Sequence, residues 1–363
     1  MADPSKTDAP AVPGGTKKKA DKKAPPPDYA AGAPRVFSGI QPTGELHVGN
    51  WLGAVRTWAA QVAAAEEETL FCIVDAHAIT VPYEPAVLRA RIRSFARDLV
   101  ACGVDPEKTT LFVQSDVREH TELNWYLSTV TPMGDLGRMT QFKEKGEGKD
   151  FVSSALFSYP TLMSADILLY KATIVPVGDD QLQHLELARE TARRFNHRFG
   201  PVFPEPKPRL SAAPRIRGLD GAGKMSKSKG NALDLFEPPA AFWKKLKGAF
   251  TDPLRLERTD PGRPEVCNVY TMHSALASPE ALAEVASNCR GAVWGCFDCK
   301  KALNDSFERE LVPLRTKREA LTDERLRQAL GDGAAKARRL ASETMREVRD
   351  VMGLGAEGPG AWT

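Results

Sequence analysis

From Arg35 to about Pro238, short apolar runs alternate with stretches of helical periodicity, and few folds are open to a chain patterned in that way. Val36–Ile40 reads as a strand, followed by a helix from about His47. Leu70–Val74 reads as a second strand. Pro85–Cys102 has apolar residues at helical spacing (Val87, Leu88, Ile92, Phe95, Leu99 and Val100), with Gly103 as its C-terminal cap. Thr110–Val113 is a third strand. Thr173–Val177 is a fourth, leading into a helix through Leu182, Leu185, Leu187 and Ala188. Strands alternating with helices predict an α/β fold, a Rossmann-like doubly wound parallel sheet with helices on both faces.

From about Pro238 the strand signals stop and helices broken by Asp-Pro and Gly turns follow, predicting an all-helical second domain. The last of these, about Ala334–Met352, repeats apolar or small residues at Ala337, Leu340, Thr344, Met345, Val348 and Val351 and is expected to pack back on the sheet. The division expected is a Lys/Ala/Pro-rich tail over 1–34, a sheet domain over 35–237, a helical domain over 238–324, a returning helix over 325–354 and a flexible end over 355–363. Residues 1–34 contain fifteen Ala or Pro and one β-branched aliphatic, Val12. Such a segment cannot bury enough surface to offset its ordering entropy, so disorder is expected. A solubilising role is the plain reading; nucleic-acid tethering or targeting are the alternatives, and four Asp weigh against a transit peptide.

The tail carries a net charge of +2 out of +3 for the whole chain, so nucleic-acid binding must come from local patches. No apolar run approaches the roughly 18–20 residues that span a bilayer. With no secretory signal in view, a soluble cytoplasmic protein is expected. Six cysteines in that setting argue against a disulfide framework and for buried thiols, a metal site or both.

Two segments carry phosphate chemistry. Phe37-Ser-Gly-Ile-Gln41-Pro-Thr-Gly-Glu-Leu-His47-Val-Gly49-Asn50 joins the first strand to the first helix, where ligands of doubly wound sheets bind and a helix N-terminus offers free N–H groups. Gly49 leaves room for a base against backbone, and His47 and Asn50 can hydrogen-bond phosphate or ribose. Alone, this motif is also what a plain loop shows. The second segment, Gly223-Lys224-Met225-Ser226-Lys227-Ser228, places two lysines around a serine, suited to a triphosphate whose charge grows as pyrophosphate leaves. A lone lysine pair is usually just a solvated loop; two such segments in this order argue otherwise.

The pair is similar to the HIGH and KMSKS signatures of class I aminoacyl-tRNA synthetases. Together with Met139-Thr-Gln-Phe-Lys-Glu-Lys145, Tyr159-Pro-Thr-Leu-Met163-Ser-Ala-Asp166 and Val175-Pro-Val177-Gly178-Asp-Asp180-Gln181, it resembles the tryptophanyl-tRNA synthetase family over about residues 35–354. The first signature departs at Asn50, where the family pattern has His, and Lys229-Gly230 follows the second where many relatives have Asp.

The resemblance implies activation of L-tryptophan by ATP with Mg²⁺, then transfer to tRNA(Trp), with 238–324 binding the anticodon and two chains forming a homodimer. It assigns Lys145, Lys224 and Lys227 to the leaving pyrophosphate. Gln41, His47, Gly49, Asn50, Gly178, Asp180, Met225, Ser226 and Ser228 complete the ATP site. Tyr159 and Gln181 are assigned to the tryptophan amino group. Asp166 accepts the indole N–H in a slot of Phe37, Met163, Val175 and Val177, with His77 nearby. Taken alone, Asp166 reads as a helix residue pairing with solvent or a cation and His77 as a satisfied core histidine. Tyrosyl-tRNA synthetase shares the architecture but typically has Tyr where this chain has Phe37. A small-molecule adenylyltransferase would not need the helical region, and a non-catalytic paralogue should lose His47, Lys224 or Lys227.

Cys267, Cys289, Cys296 and Cys299 form a third constellation, and the Cys-x-x-Cys pair is the usual bite of a tetrahedral metal. Spacing leaves a structural zinc and a [4Fe–4S] cluster both open; the likeness to a cluster-bearing subset of the family implies iron. Cys72 and Cys102 read as core thiols. Lys244, Lys245, Lys247, Arg315, Lys317 and Arg318 are candidate tRNA contacts.

Overall fold

The structure, a computed structural model, describes residues 34–140, 152–210, 216–223 and 225–355. Five strands form one parallel sheet in the order β3-β2-β1-β4-β5: β1 Arg35–Ile40, β2 Glu68–Ile73, β3 Thr110–Val113, β4 Ile174–Val177 and β5 Lys207–Leu210. The four strands expected from the apolar runs are present. The fifth was not expected, because it has no apolar run: Lys-Pro-Arg-Leu is an edge strand, largely exposed, with Leu210 opposite Val177. The order runs outward from β1 to β3 in one direction, and β4 and β5 lie on β1's other side. β1 and β4 therefore flank the switch point, where such sheets open a crevice at the strand ends.

The first helical segment follows β1 as Val48–Asn50, a π turn Trp51–Val55 and Arg56–Ala64. Pro85–Ala101 starts with Pro at its first position and ends with Cys102, after which Gly103 adopts φ +100°. After Pro238 the described elements are all helical: Pro239–Lys247, the short Pro264–Val266 turn, Asn268–Ser274, Pro279–Arg290, Cys296–Ala320 and Asp323–Met352. The last begins eleven residues earlier than its apolar repeat suggested. Thr322 caps it by accepting from Arg325 N at 3.2 Å, with Asp323 and Glu324 complementing the helix dipole.

Two apolar clusters cover the two sheet faces. In one, Trp58 stacks on Phe71 with ring centroids 4.6 Å apart, and Phe242, Met272, Phe307 and Leu311 from the helical region join the same cluster. The helical region thus shares a core with that face. On the other face Ala334, Ala337, Ala341, Met345 and Val348 of Asp323–Met352 pack with Phe112, Leu123 and Tyr170, so the last helix does return to the sheet. Among the described residues, no helix is long and apolar enough to cross a membrane.

Candidate active site

A cavity of about 580 Å³ opens at the switch point. β1 and the turn after it contribute Phe37, Ser38, Gly39, Ile40 and Gln41. β4 and the 3₁₀ turn Asp179–Gln181 contribute Val175, Pro176, Val177, Gly178, Asp180 and Gln181. The Ser154–Leu168 helix adds Tyr159, Met163, Asp166 and Ile167, and the short Asp75–Ala78 helix after β2 adds His77. The first signature supplies His47, Gly49 and Asn50, and the second supplies Met225. Most of the residues assigned by resemblance therefore meet in one place.

Asp166 is the most constrained of them. It is 2% exposed, yet its carboxylate lines the cavity. Oδ1 accepts from Gln114 Nε2 at 2.6 Å and His120 Nδ1 at 2.7 Å, and Oδ2 accepts from His77 Nε2 at 2.7 Å. Burial pushes its carboxyl up, but the charge and hydrogen bonds of His77 and His120 outweigh burial and hold it below the usual carboxylate range. An acceptor-only carboxylate fixes His120 Nδ1 as a donor. Its Nε2 lies 2.8 Å from the Tyr170 hydroxyl. Tyr170 in turn stacks on Phe37 with ring centroids 5.5 Å apart, which sets the wall beside Asp166. Oδ2 receives one of these three bonds, so it retains acceptor capacity toward the cavity.

Gln114, His120 and Tyr170 escaped sequence reading. One signal pointed to His120: it shares an inward helical stripe with Leu123 and Leu127 at i, i+3 and i+7. Tyr159 lines the cavity with its hydroxyl 2.7 Å from His184 Nε2, and His184 was also missed. Gln181 Nε2 donates to Asp180 Oδ2 at 3.0 Å beside Gly178, where a Cβ would lie 2.9 Å from Asp180 Oδ1.

At the first signature His47 is an N-cap. Its Nδ1 accepts from Asn50 N at 3.2 Å while Asn50 Oδ1 reaches back toward His47 N. The departure to Asn at position 50 thus serves the helix start. A Cβ on Gly49 would lie 3.1 Å from the His47 ring and 3.4 Å from Met225, so the two signatures touch there. They are also tied by backbone: Val48 N donates to Leu233 O and Leu235 N to Leu46 O.

Lys227 lies outside the cavity lining. Its stem passes Gly44 of the first signature and its ammonium is 2.6 Å from Asp234 Oδ1. Ser226 does not line the cavity either. Gly230 ends the Lys227–Lys229 turn at φ +66°, a conformation that explains glycine at this departure from the family pattern. Lys145 and Lys224 lie outside the described residues, as does the side chain of Ser228.

Cys267, Cys289, Cys296 and Cys299 are all half-buried and free, whereas Cys72 and Cys102 are core thiols. The four share a neighbourhood: burial first, then the charges of the other three, push the Cys299 thiol up to about 12. Arg255 Nη1 lies 3.8 Å from Cys289 Sγ, and His273 Nε2 3.5 Å from Cys299 Sγ. Among the described residues, however, no group of three or more His, Cys, Asp or Glu is gathered closely enough to hold a metal ion. Of the candidate tRNA cations, Arg318 and Arg315 are spent on Asp98 and Glu308 at 2.6 and 2.7 Å, and Lys245 pairs with Glu237 at 2.7 Å. Lys244, Lys247 and Lys317 remain exposed.

The family model for tRNA synthetases class I (W and Y) matches residues 30–312. A tryptophan–tRNA ligase of Deinococcus radiodurans is 48% identical over 325 residues, covering 88% of this chain and 98% of that protein. The chain belongs to the tryptophan–tRNA ligase family of class I synthetases. Among solved structures, the Campylobacter jejuni tryptophanyl-tRNA synthetase complexed with ADP and tryptophan superposes with a TM-score of 0.78 at 34% identity, covering 88% of this chain and all of that one. The Mycoplasma pneumoniae tryptophanyl-tRNA synthetase gives 0.79 at 31%, covering 90% and 99%. The parallel sheet with its switch-point cavity is thus the family's Rossmann-like fold. An Archaeoglobus fulgidus tyrosyl-tRNA synthetase, at 19% identity and a TM-score of 0.64, shares the fold alone.

Proposed function

We infer that this chain activates L-tryptophan with ATP to tryptophanyl-adenylate and pyrophosphate, then transfers tryptophan to the 3′ end of tRNA(Trp). The observation that carries the amino-acid assignment is the buried Asp166, its carboxyl held below the usual range by His77 and His120, in a cavity lining shared with Phe37, Met163, Val175 and Val177. The indole has a single polar atom, a donor, and a held carboxylate in an apolar slot is its complement. Tyr159 and Gln181 are the candidates for its ammonium group.

The tryptophan carboxylate is anionic at neutral pH and attacks the α-phosphate without a general base, so catalysis reduces to placement and charge stabilisation. Gln41, His47, Gly49, Asn50, Gly178, Asp180, Met225, Ser226 and Ser228 would hold ATP. Lys145, Lys224 and Lys227, with Mg²⁺, would meet the charge that develops on pyrophosphate. Lys227 must leave Asp234 to do so. ATP–pyrophosphate exchange measured across the amino acids tests this reading. Exchange driven by tryptophan is expected; equal exchange with tyrosine overturns it.

The division into a catalytic part over 35–237 and an anticodon-binding part over 238–324, a cytoplasmic location and a homodimer belong to the same reading. A [4Fe–4S] cluster on Cys267, Cys289, Cys296 and Cys299 would have a structural role, far in sequence from His47. It rests on the family-like spacing and the shared neighbourhood of the thiols, and a cubane is wider than a single zinc ion. Anaerobic purification with iron, sulfide and zinc analysis decides it: one zinc without sulfide rejects the cluster.

A further inference from the structure

The loop that carries Lys227 is closed at its neck by two buried asparagines. Asn231, 4% exposed, donates from Nδ2 to Asp220 Oδ2 at 2.9 Å and accepts at Oδ1 from Ser226 N at 2.8 Å. Its carbonyl accepts from Leu219 N at 2.9 Å. Asn268, 1% exposed, comes from the helical region. Its Nδ2 donates to the carbonyls of Arg217 at 3.1 Å and Gly218 at 3.0 Å, and its Oδ1 accepts from Arg217 N at 3.3 Å. Gly218 is pinched between the loop's own polar groups: a Cβ there would lie 2.1 Å from Asn231 Nδ2 and 2.7 Å from Asp220 Oδ1.

The anchor is firm. Asn268 opens the helix Asn268–Ser274, whose Val269 and Met272 are buried in the shared core. Beyond the neck, Gly221, Gly223 and Gly230 adopt φ +73°, +67° and +66°, conformations that favour glycine. The buried hydrogen bonds of the neck fix the base of the loop that carries Lys227.

We propose that Asn268 is a positioning residue for amino-acid activation, acting through Lys227 by fixing the neck of its loop. Asn268 is assigned no substrate contact. The proposal rests on the reading of Lys227 as a pyrophosphate ligand, and the test separates the two. A helix that merely needed Asn268 for its own stability would show no link to one lysine of a distant loop.

The full chain is compared with Asn268→Ala for tryptic cleavage within residues 224–229, tryptophan affinity and single-turnover activation, with and without Lys227→Ala. Cleavage there should be on the order of ten-fold faster and activation on the order of ten-fold slower, as expected when buried hydrogen bonds are lost. Tryptophan affinity should be unchanged, and the activation loss should vanish in the Lys227→Ala background, because coupled residues are not additive. If alanine does not give folded protein, Asn268→Ser, which keeps one hydrogen-bonding group, should show the same pattern at smaller size. Unchanged cleavage, or an equal activation loss with and without Lys227, overturns the proposal. Unchanged activation in Lys227→Ala alone sinks the reading beneath it.

Discussion

His77 Nε2 lies 2.7 Å from Asp166 Oδ2 at the wall of the cavity, with neither residue more than 6% exposed. The histidine is one of three donors to the carboxylate, and with His120 it holds the carboxyl below the usual range against burial. Asp166→Ala should therefore abolish discrimination between tryptophan and an analogue whose indole N–H is replaced by sulfur. Leaving one buried polar group unpaired costs about 1–3 kcal/mol, or roughly five- to 150-fold in wild-type selectivity. Equal discrimination by wild type and mutant in single-turnover activation would remove Asp166 from the role. Because its carboxyl is held low in the folded chain, the stability it contributes is present above the unfolded carboxylate range and is lost only as pH falls through the lower folded value. Selectivity should not vary with Asp166 ionisation between pH 6 and 8.

Lys227→Ala should slow activation far more than it weakens tryptophan binding. A lysine that meets charge developing in the transition state is worth about 3–4 kcal/mol, or roughly 10²–10³ in rate. Its present partner is Asp234 rather than a cavity-lining group. The mutant should therefore bind tryptophan normally in equilibrium titration while its single-turnover rate collapses. A normal rate would refute the assignment.

The strands whose apolar runs are buried were legible in the sequence, and most residues named from contiguous motifs line one cavity. Sequence reading missed β5, because an exposed edge strand containing Pro208 carries no apolar run. It also missed what makes Asp166 work. Gln114 and His120 reach the carboxylate from separate elements, 52 and 46 residues away in sequence, and Tyr170 backs His120 from a third. The family signature assigns Lys227 to pyrophosphate, but a motif carries no sign of Asp234, the partner the lysine has in the structure. The roles of Asn231 and Asn268 were equally invisible, since a buried carboxamide that binds backbone leaves no pattern in neighbouring residues.

Gly333 lies in the last helix directly over the backbone of edge strand β3: a Cβ there would be 1.9 Å from Leu111 O and 2.8 Å from Leu111 C. Backbone cannot step aside as a flexible side chain can. Gly333→Ala should destabilise the fold by about 1–3 kcal/mol or more despite alanine's better helix propensity. Gly331, two residues earlier, has nothing within 4 Å of its Cβ position. Gly331→Ala should stabilise by about 0.5–1 kcal/mol. Urea midpoints moving in the same direction for the two variants would show that the helix does not sit on β3 in this way.

Arg318 Nε donates to Asp98 Oδ1 at 2.6 Å, joining the Cys296–Ala320 helix to Pro85–Ala101. Asp98 is 1% exposed; burial pushes its carboxyl up to about 6, against the pull of Arg318, which lowers it. The sign follows from that rise. Between the unfolded value, about 4, and about 6, the folded chain keeps a proton that the unfolded chain has released. Stability from this group therefore falls as pH climbs through that window and is level above it. Removing the guanidinium withdraws what makes the charged form tolerable, so Arg318→Met should raise the carboxyl further. At pH 5 Asp98 is largely neutral and loses little; at pH 8 it must either stay charged without a partner or bind a proton at a cost. Breaking a fully buried pair costs about 3–5 kcal/mol. Arg318 keeps 30% of its side chain in solvent, which screens part of this. Its bond to Ser94 Oγ at 3.1 Å and its stacking over Phe236 at 5.0 Å are lost equally at both pH values. The expected result is a mutant penalty about 1–3 kcal/mol larger at pH 8 than at pH 5 in urea denaturation. A penalty equal at the two pH values would mean that Asp98 does not depend on Arg318 for its charge.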